Sequence, residues 1–288
     1  MSLTITFLGH SGFILDDGSY RLVVDPFLTG NPRAVHTPEE ISCTHIALTH
    51  GHADHVGDTI AIAKANNAPV IAAFELANWA AEQGAPGSEP GNPGGSISLP
   101  FGTVAFTHAF HSSSYEGQYM GMPCGLVISM GGEVFYHAGD TGLFGDMKLI
   151  GEMYRPTITA LPIGDRFTMG PELASRAAEM VGAQTAIPIH YKTFPPLVQT
   201  ADAFVPQGGP LARLMRTVED LSDQAGIADM VIGLAFERYG EIDRPGLLAT
   251  VKNDPVDKDR IVYLIGQAAG RDLDAAAFMS EVLTELEP

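Results

Sequence analysis

Over about the first 207 residues, apolar side chains come in short runs separated by Gly, Asp, Asn and Ser. Such punctuation is the mark of strands and turns rather than of long helices. Residues 3–8, 13–15 and 22–24 are rich in β-formers, with Gly9 and Asp16-Asp17-Gly18-Ser19 as the breaks between them. Ile46-Ala47-Leu48 reads as a short buried strand, and Val70-Ile71-Ala72 as another. Further strands are predicted over 104–109, 126–130, 134–136, 158–161 and 186–189. Between them, residues 56–67 carry helical spacing, with Ile60 and Ala63 on one face and Asn66-Asn67 near the end. The stretch from Gly84 to Gly95 is so rich in Gly and Pro that a surface loop is expected there. No short-period repeat is visible.

After residue 208 the pattern changes. Leu211, Leu214, Met215, Val218 and Leu221 fall at helical spacing, with Pro210 suited to a first turn and Gly226 just past the end. Asp257 and Asp272 stand as N-caps of later helices, and Phe278, Met279, Val282, Leu283 and Leu286 form the apolar stripe of the last. The pattern therefore divides the chain into an α/β domain, residues 1–207, and an all-α C-terminal appendage, residues 208–288. The appendage is too small to bury all its stripes internally. It is expected to pack on the first domain or, with slight preference, on a second copy in a homo-oligomer. It holds no His or Cys, so no metal ligand is expected from it.

Composition narrows the function. At 45% apolar and 17% charged the chain builds a substantial core. No run approaches the ~18 apolar residues of a membrane span. The opening residues read as a strand without a basic leader, so a cytoplasmic protein is expected. A formal charge of −18 repels phosphate backbones, which argues against nucleic acid as a partner. A small-molecule substrate is expected, and an anionic one stays open because a metal centre reverses the sign locally. Cys43 and Cys124, the two cysteines, sit in apolar surroundings and read as buried reduced thiols.

The chemistry is concentrated in Thr49-His50-Gly51-His52-Ala53-Asp54-His55, directly after a buried strand. Imidazole and carboxylate together are ligands of borderline divalent metals such as zinc. Two ions need more donors than one loop offers. His111, Asp140 (in His137-Ala138-Gly139-Asp140-Thr141) and His190 each lie just beyond a predicted strand end. Alone, each has a mundane reading as a core or turn residue; together with the first motif they suggest loops gathered at one rim of a sheet.

The order His-x-His-x-Asp-His, His, Gly-Asp-Thr, His resembles the metallo-β-lactamase fold hydrolases over roughly residues 1–207. Flanking phrases narrow the resemblance: Phe7-Leu8-Gly9-His10-Ser11-Gly12-Phe13, Val24-Asp25-Pro26-Phe27, Ala109-Phe110-His111-Ser112-Ser113, Phe167-Thr168-Met169-Gly170-Pro171 and His190-Tyr191-Lys192-Thr193-Phe194-Pro195. They look like a branch of metal-dependent hydrolases near the ascorbate-phosphate lactonases. The resemblance implies an αβ/βα four-layer sandwich with a dinuclear site at the rim between two sheets. It implies that His50, His52 and His111 bind one ion, that Asp54, His55 and His190 bind the other, and that Asp140 bridges. Zinc is the first expectation, with manganese or iron as alternatives. A water or hydroxide between the metals is the implied nucleophile, for which Asp54 is the catalytic candidate as an orienting group. The substrate is expected to carry an ester-like bond: lactone, phosphoester or thioester. Asp165-Arg166 and Lys192 depart from the residues expected at their places and leave the ligand set intact.

A second tier surrounds this set. Asp25 is read either as a partner of a ligand histidine or as a turn carboxylate. His10 is read as lining the site, and His137 as structural. Arg166 and Tyr191 are candidates for an anionic substrate group, although packing or a surface ion pair is the better reading of each. His36, His45 and His108 read as ordinary histidines. Ser112-Ser113-Ser114 is not read as a nucleophile cluster, because no histidine base or oxyanion elbow accompanies it. The competing functions are an iron-dependent redox enzyme of the same fold and a non-catalytic binding protein with a vestigial site.

Overall fold

Period-two alternation in the strands sorts apolar side chains into layers. The computed structural model describes residues 3–204, so the predicted appendage from residue 208 lies outside the described residues. A first six-stranded sheet runs β1 (Thr4–Gly9), β2 (Gly12–Asp16), β3 (Arg21–Val24), β4 (His45–Ala47), β5 (Val70–Ala73) and β6 (Ser88–Gly91), in that spatial order. The second sheet uses β7 (Ser96–Leu99), β8 (Gly102–His108), β11 (Cys124–Met130), β12 (Glu133–His137), β13 (Ile158–Pro162) and β14 (Thr185–Ile189). Its spatial order is β14-β13-β12-β11-β8-β7. A small hairpin, β9 (Ser114–Tyr115) and β10 (Gln118–Tyr119), stands apart from both.

Ile5, Phe13, Leu15, Leu22, Val24, Ala47 and Ile71 of the first sheet meet Val104, Phe106, Leu126, Ile128, Phe135, Ile158 and Ile187 of the second in one buried core. The alternate residues face outward. Val23, Ile46, Val70 and Ala72 pack under helices α2 (Thr59–Asn66) and α3 (Phe74–Glu82). Val127, Tyr136, Leu161 and Ala186 pack under α4 (Met147–Tyr154) and α5 (Pro171–Val181). The result is the αβ/βα sandwich expected from the sequence.

Strand direction decides where the loops gather. β1 is antiparallel to β2, β2 to β3, and β3 is parallel to β4. The C-terminal ends of β1, β3 and β4 therefore share one edge. By the same count, β8, β12, β13 and β14 all point one way, because β8 and β12 are each antiparallel to β11 and β12–β13–β14 are parallel. The two edges are tied directly: His190 N–H donates to the His10 carbonyl at 2.8 Å, and Cys124 N–H to that of Thr49 at 2.9 Å.

Two expectations need correction. The helix read over 56–67 is broken in two, α1 (Ala53–Val56) and α2, by Gly57. Gly57 has φ +42°, and a Cβ there would collide with the Pro26 carbonyl. Asp58 follows and accepts from the Leu28 and Thr29 amides at 2.9 and 2.8 Å, which pins the break to the β3 loop. The Gly/Pro-rich stretch 84–95 is not all loop, since it contains β6 at the sheet edge, paired parallel to β5. Pro90 is tolerated there because an edge strand leaves one row of amides unpaired.

Cys43 and Cys124 are free and buried. Burial pushes their thiols up to about 11 and about 12. The folded protein is expected to release no colour from an aromatic disulfide thiol reagent at pH 8, and two equivalents after unfolding in guanidinium. Rapid reaction of either thiol in the folded state would contradict this burial.

Candidate metal centre

The loop after β4 is held open by its own backbone contacts. Asp25, at the end of β3 with a left-handed backbone (φ +45°), accepts from Thr49 N–H at 2.9 Å and from the Thr49 hydroxyl at 2.6 Å. Gly51 N–H donates to Ser113 Oγ at 3.0 Å, and a Cβ at Gly51 would run into the Met120 side chain. His52 keeps an extended backbone as the residue before α1. The chain thus turns from strand to helix within His50–His55 and presents donors from both sides of the turn.

Three groups of donor atoms converge, each with all atoms within 4.8 Å of one another: His50, His52 and His111; His50, His55 and Asp140; and His10, Asp54, His55 and His190. All seven residues singled out as ligands are therefore brought together, and His10 joins them. Asp140 sits centrally. One of its oxygens lies 2.9 Å from His190 Nε2 and 3.5 Å from His111 Nε2, and the other lies 3.3 Å from His55 Nε2. His50 Nε2 and His52 Nδ1 are 3.0 Å apart. Asp54 Oδ2 is 3.6 Å from His190 Nε2.

One pair tests whether a cation fits. His55 Nε2 and Asp140 Oδ1 are neighbours and wholly buried, yet neither makes a hydrogen bond. A buried polar atom without a partner is costly. Two of them side by side, aimed past each other, fit a third body placed between nitrogen and oxygen donors. The far side of the His55 ring supports this, because Nδ1 lies 2.7 Å from Asp25 Oδ2. That contact keeps a ring proton on Nδ1, so a cation at Nε2 would take the place of the second ring proton, the usual support of a metal-bound histidine.

The electrostatics follow from packing six imidazoles around Asp54 and Asp140, with Asp25 behind His55. Burial, aided by neighbouring histidines, holds His50 well below the usual histidine range. Burial works against charge on His55 too, but the carboxylates of Asp140 and Asp25 outweigh it and lift it well above that range. Burial alone would raise Asp140 and Asp54; the surrounding histidines reverse this and hold both below the usual carboxylate range. In both cases the acidic groups stay ionised at neutral pH.

The second tier divides. Asp25 contacts His55, as just described. His10 Nε2 lies 3.1 Å from Asp54 Oδ2. His137 stands apart: Nε2 lies 2.8 Å from the Ser11 carbonyl and Nδ1 accepts from Gly139 N–H at 3.0 Å, so both nitrogens stitch the rim together. Arg166 is exposed, with its guanidinium 5.5 Å over the Phe167 ring, and Tyr191 packs against the outer core of the second sheet. No polar side-chain contact joins either to the cluster among the described residues. His36, His45 and His108 lie elsewhere, His45 against Phe101. One correction concerns the serines, since Ser112 Oγ lies 3.2 Å from His52 Nε2, so a histidine does accompany it. His52 turns its other nitrogen to His50, and Ser112 is an outer partner of that ring. Thr49, Ser113 and Thr193 were not singled out from the sequence, although each sits inside or beside a motif that was.

Comparison with known proteins bears on this arrangement. Residues 20–191 match the model described as the beta-lactamase superfamily domain. A UPF0173 metal-dependent hydrolase of Geobacillus thermodenitrificans is 48% identical over 208 residues, covering 70% of this chain and 92% of that protein. One of Thermus thermophilus is 48% identical over 201 residues, covering 69% of this chain and 88% of its own length. Among solved structures, Igni18, a metallo hydrolase of Ignicoccus hospitalis, superposes with a TM-score of 0.64 at 34% identity, covering 69% of this chain and 86% of that one. With the family model matching more than half its length, this chain belongs to the beta-lactamase superfamily, alongside the UPF0173 metal-dependent hydrolases.

Proposed function

We propose that the chain is a metal-dependent hydrolase with a dinuclear centre, acting on an ester-like bond of a small molecule. The observation that carries this reading is the convergence of seven donor side chains with the unpartnered pair His55 Nε2 and Asp140 Oδ1 at its centre. His50, His52 and His111 would hold one ion, Asp54, His55 and His190 the other, with Asp140 between them. Zinc suits this mixture of imidazole and carboxylate donors. Bound there, divalent ions supply Lewis acidity and lower the pKa of a water from 15.7 to about 7.

The chain's own residues set the geometry. Asp25 fixes the tautomer and tilt of His55 through the 2.7 Å contact. Thr49, tied to the same carboxylate, fixes the strand end from which His50 projects. The side chain of Asp54 is one-quarter exposed, whereas Asp140 is buried. Asp54 is therefore the carboxylate with access to solvent, and it is the group placed to orient an incoming water. Ser113 Oγ accepts from Gly51 N–H and Ser112 Oγ contacts His52, so both serines serve the metal loop, and the nucleophile of this reading is water.

The test is a panel of lactone, phosphodiester and thioester substrates, with chelator-stripped protein supplied separately with zinc and manganese. Hydrolysis is expected to vanish on stripping, return with metal, and place solvent oxygen in the product. A trapped acyl- or phosphoryl-enzyme, or activity indifferent to chelation, would overturn the reading.

A further inference from the structure

His10 stands on the β1–β2 turn with a left-handed backbone (φ +58°), a conformation that costs energy for a residue with a Cβ. Its side chain is fully buried, and the ring packs edge-on against Phe27 and Phe194, centroids 5.8 and 5.5 Å away, and against His190 and His55 at 4.2 and 5.7 Å. A polar ring delivered by a strained backbone into a buried site needs both ring nitrogens satisfied. They are: Nε2 lies 3.1 Å from Asp54 Oδ2, and Nδ1 lies 2.8 Å from Thr193 Oγ1.

Counting protons orders this chain. Asp54 is ionised and only accepts, so the His10 proton belongs on Nε2. Nδ1 is then an acceptor, and its short contact takes the Thr193 hydroxyl proton in preference to the longer 3.2 Å contact of that hydroxyl with the Tyr191 carbonyl. Both contacts of Asp54, with His10 and with His190, are made through Oδ2. Oδ1 takes no hydrogen bond from either. With both nitrogens engaged, His10 differs from His55, whose Nε2 has no hydrogen bond.

We propose that His10, oriented by Thr193, is a positioning residue. It holds Asp54 Oδ2 so that the carboxylate presents a fixed edge to the ion shared with His55 and His190. This rests on the dinuclear reading above and extends it to two residues outside the ligand set. Thr193 lies at the other end of the chain of contacts from Asp54, and its second contact, with the Tyr191 carbonyl, leads to the His190 loop, so its effect is read together with that of His10.

Zinc titration of the full-length protein against a chromophoric chelator, with cobalt absorption spectra recorded in parallel, tests this. The parent protein is expected to hold two zinc ions. Thr193→Val, which preserves shape, and His10→Asn, which tolerates the backbone, are each expected to weaken one ion about 10- to 100-fold. The other ion should stay within about twofold. Thr193→Ser should restore both the affinity and the cobalt spectrum. Unchanged zinc affinities and an unchanged cobalt spectrum in Thr193→Val would overturn the proposal. So would loss of the ion in His10→Asn alone, which would make His10 a ligand in its own right. A parent protein holding fewer than two ions would instead overturn the dinuclear reading, and this inference with it.

Discussion

Asp54→Ala is expected to lower kcat/KM on a model ester or phosphodiester by at least about 10²-fold with metal in excess. Two losses combine. The carboxylate leaves the donor group it forms with His55 and His190, and the solvent-facing group that orients the water is gone. Acid–base participation alone is typically worth about 10²- to 10⁴-fold. The control is Glu152→Ala on α4, whose exposed ion pair with Lys148 spans 3.8 Å and contributes little by the usual measure of surface pairs. That variant should stay within about twofold of the parent. Metal content measured alongside separates lost binding from lost chemistry. Near-full activity in Asp54→Ala would remove this residue from the mechanism.

Asp25→Ala is expected to have the largest combined effect on stability and metal affinity. Asp25 is wholly buried and is contacted by Thr49 N–H, the Thr49 hydroxyl and His55 Nδ1. Each buried group left without a partner costs about 1–3 kcal/mol, so a loss of at least about 3 kcal/mol is expected in urea unfolding. Loss of a carboxylate behind a ligating histidine typically weakens metal binding about 10- to 100-fold. Asp25→Asn separates the two effects. Its amide keeps the shape and can still accept from Thr49, but its NH₂ group cannot replace the carboxylate oxygen facing His55 Nδ1–H. It should recover much of the stability and little of the zinc affinity. Parent-like zinc affinity in Asp25→Asn would show that His55 does not depend on this contact.

The fold was legible where period-two alternation and turn residues coincide. Residues 13–15, 22–24, 70–72 and 126–130 lie within strands, with alternate residues facing the shared core and the outer layers. It was not legible where local preference and tertiary context disagree. β6, Ser88-Glu89-Pro90-Gly91, has few strand-forming residues and exists because β5 offers it a parallel edge. Gly91 lies where a Cβ would collide with the Phe106 ring, a reason for glycine that no local pattern reveals. α3 follows β5 without a turn residue, so nothing in the chain marks its start. The break at Gly57 depends on a carbonyl contributed by Pro26.

The site was legible for a different reason. Its donors sit at strand ends, and a sheet with known strand directions brings such ends to one rim. Histidine and aspartate in a short loop after a buried strand carry chemistry in their composition alone. The supporting residues were less visible. Thr49 and Thr193 are ordinary in sequence and gain their roles only through partners 24 and 183 residues away. Arg166 and Tyr191, candidates by their nearness in sequence to site motifs, lie at the surface and over the outer core, in keeping with the packing reading the sequence favoured for both.

The central claim is that seven converging side chains hold two cations. Elemental analysis of full-length protein, equilibrated with excess zinc and then freed of unbound metal, tests it most directly. Two zinc ions per chain are the expected result, falling in Asp140→Ala because its two oxygens face donors from both groups. A parent protein that retains one ion or none, with His55 and Asp140 intact, would contradict the dinuclear site.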